Sequence, residues 1–227
     1  AACRIGHHLI ADNPGIEEHL AIRVRRKKIT MIPYGARFVE SGNIDIIEEL
    51  GLVDANYAIV IARPEPENSI LEIVRAFSKK PRGIKLVVLG SFDVKSNQYH
   101  KLVMATASSE VLFLGAIYDE EKLDSLRYCA SFYIHGHKVG GTNPSLVEAL
   151  GSGNAVIAYD NIFNRWVAKD AALYFDCENS LSKAVDILLS DQARLLELKI
   201  AAKNNFARNF EWQGVLAEYE ALLDAHL

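Results

Sequence analysis

Between Phe132 and Gly153 the chain reads FYIHGHKVGGTNPSLVEALGSG. A short apolar run, FYIH, gives way to a loop of glycines and polar residues, and the spacing predicts a helix opening at Asn143-Pro144 and running through Ser145. Asn is a strong N-cap, and Pro is favoured at the first helical position because its missing N–H would be unpaired there anyway. Gly140, Gly141 and Thr142 let backbone approach a ligand and leave amide N–H groups free, while the helix N-terminus adds roughly half a positive charge. Such a strand, loop and helix start suits an anion, most often phosphate. Glu148, about a turn further on, is reachable from the same crevice and can accept hydrogen bonds from a sugar or ribose diol. The competing reading is a plain tight turn, with Glu148 favoured near the helix start by the dipole alone. Neither GK[ST] nor GxGxxG occurs, so the usual nucleotide fingerprints are absent.

The elements around this stretch repeat one pattern. YAIVIA (57–62), IKLVVLG (84–90), VLFLG (111–115), FYIH, NAVIAYD (154–160) and ALYFD (172–176) are apolar almost throughout, and amphipathic helices separate them. Examples are the helix carrying Ile70, Leu71, Ile73, Val74 and Phe77, one near Tyr99 to Ala107, and DEEKLDSLRYCA (119–130). Strands of this kind indicate a parallel sheet covered on both faces, hence a doubly wound α/β domain of about six strands. A helical tail is expected over 180–189, 191–208 and 213–227. In such sheets ligands bind beyond the carboxyl ends of the strands. That rule gathers Arg63, Gly90, Ile117, Tyr118 and the segment from His135 to Asn143 into one crevice. Arg63 is placed to neutralise a diphosphate, or else pairs with Glu65 or Glu67. His135 and His137 form an HxH pair without an evident third ligand, so a hydrogen bond to substrate or plain packing is expected rather than zinc. Asp160 and Asp176 read as turn residues.

Residues 1–36 read differently. HHLIA and ITMIPYGA are candidate strands, with a helix from Asn13-Pro14-Gly15 to Leu20 between them. Two strands and one helix cannot bury a core, so this piece reads as the end of a larger domain; the chain also opens without Met. Arg23, Arg25, Arg26, Lys27 and Lys28 make either a solvated turn, which composition favours, or a surface for anionic lipid. Half of the 227 residues are hydrophobic and the net charge is −4, which gives no support for nucleic-acid binding. Cys3, Cys129 and Cys177 are odd in number and unpaired in spacing, as in a reducing compartment. No run approaches membrane-spanning length.

Taken in order, IPYG, the strand ending in Arg63, LVVLG, FLGAIYDEEKLDSL, GGTNPSLVEALGSGNAVIAYD and the FEW tail resemble the C-terminal, donor-binding domain of GT-B glycosyltransferases, in particular the glycogen-synthase-like retaining class. HGHKVGGTNPSLVEAL together with ARPEPEN is similar to bacterial rhamnosyltransferases of capsule and cell-wall polysaccharide synthesis. The resemblance implies a division into the end of an N-terminal acceptor domain (1–36), a nucleotide-sugar domain (37–208) and a C-terminal helix (209–227). It implies that Glu148 is the second Glu of the class's E-x7-E motif and meets the ribose, and that Arg63 meets the donor phosphates. The first Glu would fall at Gly140 and the partner lysine at Asn68, so both are absent. Thr142, Asn143 and their amides are left as diphosphate and sugar contacts, and Ile117 and Tyr118 cradle the base. A pocket lacking one hydroxyl acceptor suits a deoxy sugar such as rhamnose on thymidine diphosphate. Sugar would pass to a growing glycan or lipid-linked acceptor, at the cytoplasmic face of a membrane, with no metal or resident cofactor. Two other readings share the architecture: a nucleotide-sugar epimerase, and a non-catalytic nucleotide-binding module that docks to a partner.

Overall fold

The computed structural model describes residues 6–226. The chain begins with β1 (Leu9–Ala11), α1 (Pro14–Ala21) and β2 (Ile29–Met31), the two strands pairing in parallel with Ile10 opposite Thr30. Beyond Met31 the expected strand stops. Pro33 has no N–H to give a ladder, and further on only Ala36 bridges, to Glu211. α1 starts where expected: Asn13 is its N-cap and accepts from the Gly15 amide. The basic turn is a short 3₁₀ segment, Arg26–Lys28, in which Arg26 pairs with Glu18 at 2.5 Å.

The main sheet comprises β3 (Tyr57–Ile61), β4 (Lys85–Leu89), β5 (Val111–Gly115), β6 (Phe132–His135), β7 (Ala155–Tyr159) and β8 (Ala172–Phe175). Its order is β5-β4-β3-β6-β7-β8, every pairing parallel. Strands such as YAIVI are buried on both sides because helices cover both faces. α3 (Ile70–Ser78) shows the principle. Ile70, Ile73, Val74 and Phe77 recur at helical spacing, and all are at most 1% exposed, packed with Leu181, Val185 and Leu188. Burying each such side chain contributes about 1.5–3 kcal/mol.

The other helices are α2 (Ile44–Glu49), α4 (Gln98–Thr106), α5 (Glu120–Tyr128), α6 (Pro144–Gly151), α7 (Ile162–Ala168), α8 (Glu178–Ser190), α9 (Gln192–Asn209) and α10 (Trp212–Asp224). The sequence pattern does not announce α2 and α7, since each spans about two turns or fewer and shows too little period. The tail α10 returns to the start of the chain: the Trp212 ring lies against Gly35, and the His226 ring is 4.6 Å from His8. Cys129 is buried and Cys177 exposed, both as free thiols, while Cys3 lies outside the described residues.

One feature of this topology positions the site. From β3 the chain builds outward to β4 and β5, then crosses back to β6 on the other side of β3. The loops leaving β3 and β6 therefore diverge, and a crevice opens between them at the carboxyl ends of the strands.

Candidate functional site

The two loops that flank the crevice are tied to each other at their bases. Ser69 stands at φ +53° just before α3, and its hydroxyl donates to the Gly136 carbonyl at 2.7 Å. A Cβ on Gly136 would lie 2.2 Å from the Asn68 carbonyl oxygen, so the chains meet here only because residue 136 is glycine. Asn68, where the resemblance places an absent lysine, is buried and donates from Nδ2 to the Arg63 carbonyl at 2.9 Å. Its Oδ1 meets Nδ1 of His137 at 2.5 Å. Asn68 is thus a strut between the Arg63 and His137 loops.

Arg63 is exposed and makes no ion pair among the described residues, so the expected alternative of pairing with Glu65 or Glu67 is not what the structure shows. It stands at the rim of two cavities. One, of about 350 Å³, lies over the ends of β3 and β4 and is lined by Ile61, Leu89, Gly90, Ile117 and Tyr118. The other, of about 190 Å³, lies between β3 and β6 and is lined by Arg63, Asn68, His135, His137, Asn143 and Ser145. Tyr118 is 88% exposed, an aromatic face with nothing stacked on it among the described residues.

Burial governs the two histidines. His135 is 4% exposed, and desolvation, with His137 beside it, pushes its pKa down to about 3. His137 is lowered chiefly by burial; Glu67 opposes the shift and Arg63 adds to it. Both rings are therefore neutral near pH 7. Their centroids are 6.0 Å apart, and no group of three or more His, Cys, Asp or Glu side chains among the described residues is placed to hold a metal.

The glycine loop departs from expectation. Its amides are not an open cradle, because Asp12, at the end of β1, has entered it. The Asp12 carboxylate accepts from the Thr142 amide at 3.1 Å, and the Thr142 hydroxyl donates to the Asp12 carbonyl. Thr142 is buried, and a Cβ on Gly141 would sit 2.1 Å from Asp12 Oδ1. Gly140 adopts φ +112° over the His137 ring. Asn143 caps α6 as expected, accepting from the Ser145 amide at 3.0 Å. A carboxylate has taken the place foreseen for phosphate, by the same physics of amides at a helix start.

Glu148 lies apart from Arg63. It lines a third cavity, of about 400 Å³, with Tyr34, Tyr118, Arg127 and Trp212, and only Tyr118 is common to this cavity and the 350 Å³ one. Its carboxylate pairs with Arg127, whose side chain is 7% exposed and also reaches Asp124 at 3.6 Å. A still larger depression, of about 690 Å³, runs past Arg37 among Glu40, Asp119, Glu120, Glu121 and Asp124. It touches none of the residues singled out from the sequence, and its carboxylates would repel a diphosphate.

Residues 43–205 match the family described as glycosyl transferases group 1. The chain belongs to that family. No protein with a curated description matches it by sequence. Among solved structures, Alr3699/HepE of Anabaena in complex with UDP-glucose superposes with a TM-score of 0.86 at 14% identity, over 99% of this chain and 65% of that one. Sucrose-phosphate synthase of Thermosynechococcus elongatus gives 0.79 at 19% identity, over 95% and 57%. A glycosyltransferase of Rickettsia africae gives 0.76 at 15% identity, over 95% and 62%. The chain therefore spans between 57% and 65% of the length of these three. At such identities the likeness establishes the GT-B Rossmann-like fold, and the family match places the chain among the glycosyl transferases group 1.

Two residues that shape these cavities escape sequence reading. Arg127 sits in the last turn of α5, which the dipole would explain by itself; nothing in its spacing points to Glu148. Asp12 lies 130 positions before Thr142, and only the folded chain joins them.

Proposed function

We propose that this chain is the donor-binding part of an enzyme that moves a sugar from a nucleoside diphosphate to an acceptor hydroxyl. The observation that carries the reading is the position of Arg63, exposed, without an ion pair among the described residues, and lining both a larger apolar chamber and a smaller one of mixed character. A diphosphate lying across Arg63 puts the base in the 350 Å³ chamber, against Ile117 and Tyr118, and the sugar in the 190 Å³ chamber, among His135, His137 and Asn143. Chambers of a few hundred Å³ suit parts of this size. As the sugar–oxygen bond breaks, negative charge gathers on the departing diphosphate, and a guanidinium beside it stabilises that charge. The ribose reaches toward Glu148 past Tyr118, the residue common to their cavities. The HepE complexes, which contain UDP and UDP-glucose, support a nucleotide-sugar donor.

For the sugar we favour rhamnose on thymidine diphosphate, with retention at the anomeric carbon. The support is the likeness of HGHKVGGTNPSLVEAL to rhamnosyltransferases and the absence of a Glu at position 140 and a Lys at 68. The acceptor is a glycan or a lipid-linked glycan, presented by a domain of which residues 1–36 form the end, on the cytoplasmic side of a membrane. No helix of the described residues is long and apolar enough to cross one. No resident cofactor is required.

Calorimetric titration of Arg63→Ala with uridine and thymidine mono- and diphosphates tests the phosphate position. The diphosphates should lose roughly tenfold in affinity, the worth of one charge-assisted hydrogen bond, and the monophosphates much less. Undiminished diphosphate affinity would place the phosphates elsewhere.

A further inference from the structure

His135, which lines the 190 Å³ chamber, carries a buried polar atom with no partner among the described residues. His135 ends β6, in the centre of the sheet, and its Nε2 is fully buried with no hydrogen-bond partner. An orphaned polar group in such a place carries a desolvation cost of about 1–3 kcal/mol. Around it, Asn68 Oδ1 meets His137 Nδ1 and Asn143 Oδ1 accepts from the Ser145 amide, so these atoms are already engaged. The ring plane is held by near-parallel stacking on Tyr133, with 6.0 Å between centroids. The imidazole is thus carried by a strand in the middle of the sheet.

Resting on the donor-site reading above, we propose that His135 determines sugar specificity: its Nε2 forms a hydrogen bond with a hydroxyl of the transferred sugar. Three observations select a hydroxyl over a phosphate oxygen. Burial keeps the ring neutral, so it offers an anion no charge. A neutral imidazole nitrogen can serve as donor or acceptor according to tautomer, and a hydroxyl can answer either. Arg63, at the rim, is the cation a phosphate would seek first, while His135 lies inside the chamber beyond it. A sugar lacking the matching hydroxyl would leave Nε2 unsatisfied and be rejected for that reason.

The test uses the 227-residue chain with bare uridine and thymidine diphosphates and with their glucose and rhamnose conjugates. The parent should bind at least one conjugate more tightly than its bare diphosphate. His135→Leu should abolish that advantage, a loss of roughly tenfold, with bare diphosphate affinity unchanged; His135→Gln should keep part of it. In the unaltered chain, the ¹⁵N shift of His135 Nε2 should move on adding that conjugate and stay still with bare diphosphate. Equal losses for conjugate and diphosphate would make His135 a phosphate contact or a structural residue, and overturn the proposal. So would an unmoved ¹⁵N signal, or a parent that binds no conjugate better than its diphosphate. Failure of the parent to bind any of the nucleotides would instead sink the donor-site reading, and this inference with it.

Discussion

Replacing Glu148 by Gln should cost both stability and nucleotide affinity, through separable routes. The Arg127 side chain is 7% exposed and pairs with Glu148, which is 40% exposed, while Asp124 stands 3.6 Å from its other terminal nitrogen. Removing one partner of a fully buried pair costs about 3–5 kcal/mol. Here one partner is partly solvated and Asp124 remains, so about 1–2 kcal/mol is expected. For a chain of this size that lowers Tm by about 2–8 °C. Separately, if the proposed ribose contact holds, a charged acceptor leaves the ribose, and full loss of such bonds lowers affinity roughly tenfold to a hundredfold. Monophosphate and diphosphate should suffer alike, since both carry the ribose. The double variant Glu148→Gln/Arg127→Met separates the two effects. With neither charge left uncompensated, much of the Tm should return, while nucleotide affinity should stay low. Thermal melts and calorimetric titrations of the single and double variants supply both readings. If affinity returns together with Tm, Glu148 serves only to neutralise Arg127, and its assignment to the ribose is wrong.

The histidines predict a pH dependence. Folded His135 resists protonation down to about 3, whereas the unfolded chain takes the proton near 6.5, so the unfolded state binds more protons as pH falls between those values. Stability should therefore drop in that window, by up to about 1 kcal/mol per pH unit from this group, and His137, also shifted down, adds in the same direction. Denaturant midpoints between pH 7 and 4 should fall more steeply for the parent than for His135→Gln; identical slopes would refute this. Gly141→Ala would place a Cβ 2.1 Å from Asp12 Oδ1, prising Asp12 off the Thr142 amide. Amide exchange should then quicken from Asp12 to Ile32 and stay slow in β4, and uniform protection would show that the contact holds nothing in place. Reversing Arg23, Arg25 and Lys27 should leave binding to anionic vesicles unchanged, as expected for a solvated turn. A graded, salt-sensitive loss near 1 kcal/mol per charge would assign the turn to lipid.

The fold was open to sequence reading because its signals are local and repeated. YAIVI, KLVVL and AVIAY can be buried on both faces only in a parallel sheet, and Asn143-Pro144 starts its helix by caps that need no distant partner. Arg63, His135 and the Ile117-Tyr118 pair could be gathered into one region because strand ends in such a sheet share one side. What stayed hidden depends on contacts between segments remote in sequence. Asp12 fills the glycine loop because β1 and α1 dock beside α6 and α7, and no spacing within the loop records that. Arg127 reaches Glu148 only in the folded chain, though each residue alone is accounted for by its own helix. Asn68, in the place of an absent lysine, became a strut between two loops through hydrogen bonds that form only when β3 and β6 pair. Residue types and local periods determined which elements form and which ends carry chemistry. Only tertiary packing decided which polar groups are already spent on one another and which, like Arg63 and His135 Nε2, keep no side-chain partner among the described residues.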